Sequence, residues 1–292
     1  MGDTVQFLVT GLTIGSIYAI VALGFVTIYS VTKVINLAQG EFVMLGGMTM
    51  FSLTHAGIPY FLAFLLTIPI VVVIGWLIEF VIVKRAKGAD PISVIILTIG
   101  IAILIKGVAS MVWGKDSVKV EPFTNDAPLN IFGAAITPQS IWVMVFMLVI
   151  VAVLYVLMEK TMVGKAFKAC SINPLAARLM GISPNVMSSL SFALSAGLGA
   201  LAGLVISPIL FPAYDMGLML SIKGFSASIL GGLGSAPGAV IGGLLLGVIE
   251  SLGAGFISSG MKDAIAFGVV LILLLIRPFG LLGEKNVGKG GL

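Results

Sequence analysis

The sequence predicts an all-α fold, a polytopic membrane protein with about 8–9 membrane segments, some of them short or broken. Three observations carry that prediction. Of 292 residues, 59% are hydrophobic and only 10% charged, where a soluble domain carries roughly 25% charge. The mean hydropathy of +1.20 is more than a soluble fold can hide. The apolar runs reach or approach the ~20 residues needed to cross a bilayer core. An outer-membrane barrel would instead show short alternating segments, so that class is set aside. The net charge of +4 fits basic loops on one membrane face and calls for no nucleic-acid partner. Cys170, the only cysteine, has no companion for a disulfide or a metal, and His55, the only histidine, lies in a loop beside Gly57 and Pro59.

The first span runs from about Val5 to Tyr29. Its leader MGDTVQ lacks a basic n-region, its apolar run is too long for a signal core, and Gln6 stands where myristoylation wants Ser or Thr. Gly11 and Gly15 have the G-x-x-x-G spacing of close helix packing, or reflect only the abundance of glycine in membrane helices. Next, VTKVINLAQGEF gathers Lys33, Asn36, Gln39 and Glu41 around Gly40. The following run, Phe42 to Leu53, is short for a straight span: it is a span begun inside the polar cluster, or a half-helix bordering a translocation path.

Tyr60 to Val83 forms a span with Pro69 inside it, and Ile92 to Trp113 another, with Lys106 snorkelling from its outer part. Gly114 to Gln139 is a polar outer loop carrying Lys115, Asp116, Lys119, Glu121 and Asp126. Ile141 to Met158 returns the chain to the inner side. Basic residues set orientation: Lys84, Arg85 and Lys87, then Lys160, Lys165, Lys168 and Arg178, then Arg277, Lys285 and Lys289 fall on one face, which is read as cytoplasmic. Tracing back places Asn36 to Glu41 near that face and the amino terminus outside.

Residues 159–186 form a long basic interruption. Within it Asn173 reads as an N-cap, Pro174 as the first helical residue and Gly181 as the C-terminal stop, so a short capped helix is expected. Leu175, Leu179 and Met180 mixed with Arg178, and with Lys165 and Lys168 just upstream, suit docking in a groove. Beyond it, Met187 to Ile209 is a small-residue-rich span, followed by an outer loop with Pro208, Pro212 and Asp215. Gly234, Gly238 and Gly242, and likewise Gly243 and Gly247, recur every four residues. Pro237 is expected to break the helix or turn the chain here, giving two short helices joined at 234–238. A last span covers Ala264 to Ile276, and the tail is cytoplasmic. There is no convincing internal repeat.

The chemistry of a stand-alone enzyme is missing. No G-x-x-x-x-G-K-[ST] phosphate loop, H-E-x-x-H or G-x-S-x-G motif occurs. A membrane pathway with a docking loop and no nucleotide site reads as a transporter powered from outside. Intramembrane carboxylates are costly and usually functional or paired. Glu79 is expected in an interfacial ion pair near Lys84 and Arg85. Glu41 and Glu250 either line or gate a path, or make internal packing hydrogen bonds. Asp263 forms no evident sequence cluster with them.

Four blocks then occur in order: GLTIGSIYAIVALGFVTIYSVTKVINLAQGEFVMLGG, GKAFKACSINPLAARLMGI, KGFSASILGGLGSAPGAVIGGLLLGVIE and RPFGLLG. Together they resemble the membrane subunits of branched-chain amino acid ABC importers, of the H-type Liv permease kind. The resemblance implies one transmembrane permease domain over residues 1–292 in a bacterial inner membrane. It also implies a second homologous permease, two cytoplasmic ABC ATPases that bind ATP and Mg, and a periplasmic or extracellular amino-acid-binding protein. The permease itself would hold no cofactor. Gly164, Lys165, Lys168, Asn173, Pro174, Ala176, Ala177, Arg178, Leu179, Gly181 and Ile182 would couple to an ATPase. Asn36, Gln39, Gly40, Glu41, Gly234, Pro237 and Glu250 are the pathway or gate candidates. Where many relatives read N-F-A-H-G-E, this chain reads Asn36-Leu37-Ala38-Gln39-Gly40-Glu41, which removes a titrating histidine. Related permeases carry urea, sugars or other amino acids, and a stand-alone secondary transporter or a membrane scaffold remain the rival classes.

Overall fold

The computed structural model describes residues 2–86, 90–124, 127–131 and 133–283; Lys87, Asp126, Lys285, Lys289 and the rest of the tail lie outside the described residues. The helices are α1 (Gly2–Thr32), α2 (Gln39–His55), α3 (Tyr60–Val81), α4 (Pro91–Trp113), α5 (Pro138–Lys160), α6 (Met162–Ile172), α7 (Pro174–Leu179), α8 (Pro184–Leu210), α9 (Met216–Gly231), α10 (Ala236–Phe256) and α11 (Lys262–Ile276). By length and composition, seven helices can cross a membrane, and α9 is a shorter apolar helix. This is a multi-pass all-α membrane protein. Strands β1 (Leu129–Ile131) and β2 (Ala134–Ile136) form an antiparallel hairpin in the loop that the sequence reading left without structure.

The chain forms two compact units, each discontinuous in sequence: residues 1–26, 122–147 and 223–292, and residues 27–121 and 148–222. In the first unit, glycines set the packing. A Cβ on Gly15 would stand 2.9 Å from Leu244 Cα, one on Gly11 2.8 Å from Val248 Cα, and Gly243 and Gly247 meet the backbone of Ala19 and Gly15. The G-x-x-x-G spacing is therefore a real seam between α1 and α10, with backbones closer than any side chain allows. The three-glycine stripe needs correction. Gly234 stands outside α10 at φ +96°, and Gly238 and Gly242 face Gly231 and Ala227 of α9. Pro237 does not break a helix: it lies in the first turn of α10, behind Ser235, whose Oγ accepts from Gly238 N at 3.1 Å. Nor is α10 short, since it is long enough to span. The RPFGLLG segment closes the end of α9: Leu281 N and Leu282 N donate to Leu230 and Gly231 carbonyls at 2.9 Å. Those carbonyls lack intrahelical partners, so the tail satisfies them.

In the second unit α8 is the central helix, packed on α2 and α3. Phe42, Met44, Met48, Val71, Phe192, Ala196 and Ala200 are buried together in its core. Gly46 and Gly203 let α2 and α8 touch at Ala200 and Val43. Pro208, expected in a loop, lies inside α8. The lipid-facing residues follow from exposure: α3, α4 and α5 present Phe61, Ile92, Ile103, Met111, Leu148 and Val153. On that outer side Gly100 and Gly107 have open space around them.

These two classes of glycine predict opposite outcomes. Gly247→Leu is expected to cost about 1–3 kcal/mol or more by overpacking and to lower the yield and melting temperature of the purified protein. Gly107→Leu leaves both unchanged. Equal behaviour of the two variants in a thermal unfolding assay contradicts the packing.

Candidate functional site

Two places in the second unit hold most of the residues singled out by sequence. The first is the helical pair α6–α7. Thr161 caps α6, its Oγ1 accepting from Gly164 N at 3.2 Å. Asn173 Oδ1 accepts from Leu175 N and Ala176 N, both at 3.0 Å, and Pro174 opens α7. The other end closes as a Schellman motif. Ile182 N donates to Ala177 O at 3.0 Å, Gly181 N donates to Arg178 O at 3.1 Å, and Gly181 sits at φ +83°. The capped helix of the sequence reading forms, and α6 precedes it unforeseen.

One side of this pair is a core: Phe167, Cys170 and Ala177 are buried with Val31, against Met187, Leu190 and Leu194 of α8. Burial pushes the Cys170 thiol above its usual range, which keeps it unreactive. The other side is bare. Met162, Ile172, Leu175, Leu179 and Met180 are each more than 70% exposed, outside any helix long enough to cross a membrane. A short polar segment thus leaves five large apolar side chains exposed. Lys165 and Arg178 are exposed beside them, and Lys168 is held by Glu159 at 2.6 Å. Of the eleven expected contact residues, Gly164 and Ala177 are buried and Ile182 half-buried. Gly164 lies against the Met158 backbone, where no side chain fits, so its role is packing. Met162 and Ile172 were missed because α6 was not recognised; Thr161 three residues before Gly164 was the available signal.

The second place is the polar turn. Residues 33–38 are not helical, yet their backbone is bonded. Leu37 N donates to Thr98 Oγ1 at 3.2 Å, Ala38 N to Asn36 Oδ1 at 3.2 Å and Gly40 N to Ser221 Oγ at 2.7 Å. Ser221 Oγ in turn donates to Leu37 O at 2.9 Å. Gln39 is fully engaged: its Nε2 donates to Ser195 O at 3.0 Å and its Oε1 accepts from Ser195 Oγ at 2.5 Å. Ser195 lies near the middle of α8, so the turn reaches mid-depth instead of staying near one face as expected, and α2 is a half-helix begun there. Gly40 is required by close approach: the Gly217 carbonyl and Ser221 occupy the space of a Cβ. Asn36, Gln39 and Glu41 are all buried, so none of them lines an open channel in this structure.

A family model described as "Branched-chain amino acid transport system / permease component" matches residues 7–276. The chain belongs to this permease family. It is 31% identical, over 97% of both chains, to the high-affinity branched-chain amino acid transport system permease protein LivH of Salmonella typhimurium. It is 32% identical, again over 97% of both, to the corresponding protein BraD of Pseudomonas aeruginosa. It is also 25% identical to the permease protein LivM of Escherichia coli, over 92% of this chain and 68% of that one.

The first unit of the permease contains a charge cluster that sequence reading did not assemble. Glu250, on α10, accepts from Lys223 Nζ at 2.6 Å and from Tyr18 OH at 2.9 Å. Lys223 also pairs with Asp263 at 2.6 Å, and Lys262 approaches Glu250 at 3.9 Å. Glu250 and Asp263, which form no cluster in the sequence, are thus brought together in space through Lys223. Lys223 joins them because α9 folds back on α10. Glu250 is paired and buried, while Gly234 and Pro237 are exposed at the α9–α10 turn, so the three gate candidates of this unit do not form one site. Glu79 is corrected too. It is buried and accepts from Ser188 Oγ at 3.0 Å and Ser189 Oγ at 2.5 Å on α8, in place of the expected ion pair.

Removing the ammonium at the centre of the cluster strands two carboxylates. Lys223→Met is expected to destabilise the protein by about 3–5 kcal/mol, the cost of an uncompensated buried charge. Adding Glu250→Gln to it recovers part of the loss. Thermal unfolding of the purified single and double variants reads this, and an unchanged midpoint in Lys223→Met contradicts the assignment.

Proposed function

We propose that this chain is one of two permease subunits of an ABC importer for branched-chain amino acids, contributing half of the translocation pathway. The observation that carries the reading is the bare apolar rim of Ile172, Leu175, Leu179 and Met180 on a rigidly capped helix pair, in a chain without a phosphate loop. A surface built this way fits a groove on a soluble motor. ATP and Mg would be bound there, by two cytoplasmic ATPase subunits, and the chain itself would do no hydrolysis. The names of the relatives support the cargo class, and the likeness to LivM supports a second, homologous permease as neighbour. A periplasmic or extracellular binding protein would supply the amino acid and most of the selectivity.

The orientation belongs to the same proposal. Lys84, Arg85, Lys160, Lys165, Lys168, Arg178 and Arg277 fall on one side when α2 and α9, each completed by the non-helical segment before it, are counted as crossings with the seven longer spans, and such a bias marks the cytoplasmic face of an inner membrane. Loop 159–186 and the C-terminus would then face the ATPases. Nucleotide-driven movement of the docked helices would switch the path between its two openings.

The test is ATP-driven uptake of leucine, isoleucine and valine by proteoliposomes carrying the complete complex. Leu179→Asp is expected to lower uptake and ATPase retention by on the order of tenfold or more, since a carboxylate buried in an apolar groove costs several kcal/mol. Its membrane insertion is unchanged. Sustained ion-driven uptake by this chain alone, without any ATPase, overturns the reading in favour of a secondary transporter.

A further inference from the structure

Among the described residues of the second unit, two buried side-chain polar atoms have no hydrogen-bond partner: Nδ2 of Asn36 and Oε2 of Glu41. Asn36 is 2% exposed and Glu41 1%. Around them the polar turn is closely satisfied, through Thr98, Ser195 and Ser221. The two exceptions are therefore not signs of a loosely built region. They stand two tight turns apart on the chain, with Gln39 N bonded to Asn36 O and Glu41 N bonded to Ala38 O. The Glu41 carboxylate lies against Gly217, where a Cβ would be only 2.5 Å from Oε2. A glycine at 217 thus leaves the oxygen facing a bare Cα. The charged groups acting on Glu41 are Lys106, whose Nζ lies 5.4 Å from the Tyr214 ring, and Asp215.

The cost of leaving such groups unmade is large in a membrane interior, so a ligand that satisfies them gains what the empty site lacks. The two atoms are of opposite kind, one a donor and one an acceptor. A proton on Glu41 would leave the Asn36 amide unmatched. An inorganic cation would match Glu41 but face the positive end of the Asn36 NH2 group. A zwitterion supplies both complements at once, an ammonium for the carboxylate and a carboxylate for the amide. The location agrees: α2 and α9, at 17 and 16 residues, both fall short of a full crossing, and irregular backbone at this depth is tolerated where it serves a path.

We infer that Asn36 and Glu41 form a subsite for the zwitterionic head group of an amino acid, with Glu41 Oε2 accepting from its ammonium and Asn36 Nδ2 donating to its carboxylate. This rests on the amino-acid import reading above and adds the atoms that recognise the cargo inside the membrane. The same two residues exclude the aliphatic acid and the aliphatic amine, each of which satisfies only one of them.

The complete complex in proteoliposomes tests this with two probes, L-leucine and 4-methylpentanoate, which has the same carbon skeleton without the ammonium. Dicyclohexylcarbodiimide attacks carboxyls in apolar surroundings, and mass spectrometry of the labelled peptides reads Glu41 against Glu79 and Glu250 as references. Saturating L-leucine is expected to lower labelling of Glu41 by on the order of tenfold, with the references unchanged, and 4-methylpentanoate to leave all three unchanged. Glu41→Gln, which keeps the shape and removes the charge, is expected to lower ATP-driven L-leucine uptake by about tenfold or more. The subsite is overturned by Glu41 labelling that is absent or indifferent to L-leucine, by equal protection from 4-methylpentanoate, or by full uptake in Glu41→Gln. Absence of L-leucine uptake by the unsubstituted complex is a different result, and sinks the import reading instead.

Discussion

In the second unit everything turns on how a chain breaks helical structure inside a membrane without stranding its backbone. Lipid offers no hydrogen bonds, so each amide between α1 and α2 needs an internal partner. Hydroxyls of Thr98 and Ser221, on α4 and α9, serve the backbone of the turn, and Ser195 on α8 holds the side chain of Gln39. Ser221 alone serves twice, accepting from Gly40 N and donating to Leu37 O. Small residues make this possible, because hydroxyls reach the turn only if the helices carrying them come close. Gly40 and Gly217 supply that closeness. The polar turn and the glycine contacts are one device: the first needs the second to be satisfied.

The same logic runs differently in the first unit. There α1 and α10 approach through glycines at Gly11, Gly15, Gly243 and Gly247, with no broken backbone to repair. In the same unit Tyr18, Glu250 and Lys223 are buried together, with the partly exposed Asp263 paired to Lys223. Attraction in such surroundings is strong, but so is the desolvation it must offset. The cluster is therefore read as a fixed tie among α1, α9, α10 and α11. Lys223 pairs with both of its carboxylates and Lys262 approaches Glu250 at 3.9 Å, whereas Asn36 Nδ2 and Glu41 Oε2 have no hydrogen-bond partner.

The fold was legible where the sequence carries local physics. Asn173, Pro174 and Gly181 specify a helix from end to end by capping, and apolar length alone outlines the spans. Two features were lost because they depend on three-dimensional approach. Lys223 and Glu250 are separated by a whole turn and a half-helix of sequence, so nothing local announces their contact. Glu79 looked paired because lysine and arginine follow it within a turn or two, yet its partners are serines on α8 more than a hundred residues away. The depth of the Asn36–Glu41 turn was misjudged for a related reason. Span counting assigns sides, not depths, and a non-helical segment can carry the chain back into the membrane without changing the count.

Helix α8 joins the two functional places of the second unit. At one end Met187, Leu190 and Leu194 pack against the core that α6 and α7 share. One residue beyond Leu194, Ser195 grips Gln39 through both its hydroxyl and its carbonyl. A push on the docked α7 therefore meets a close-packed interface and then a stiff helix, neither of which deforms continuously. Under the proposed import reading, the hydrogen bonds at Gln39 would carry that displacement to the start of α2, where Asn36 and Glu41 lie. Gln39 suits this task because an amide offers both a donor and an acceptor to Ser195 and keeps them at every physiological pH. A histidine in its place would present the same two sides only in one tautomer and would change its grip on protonation. With glutamine the contact between α8 and the start of α2 keeps the same form across the physiological pH range.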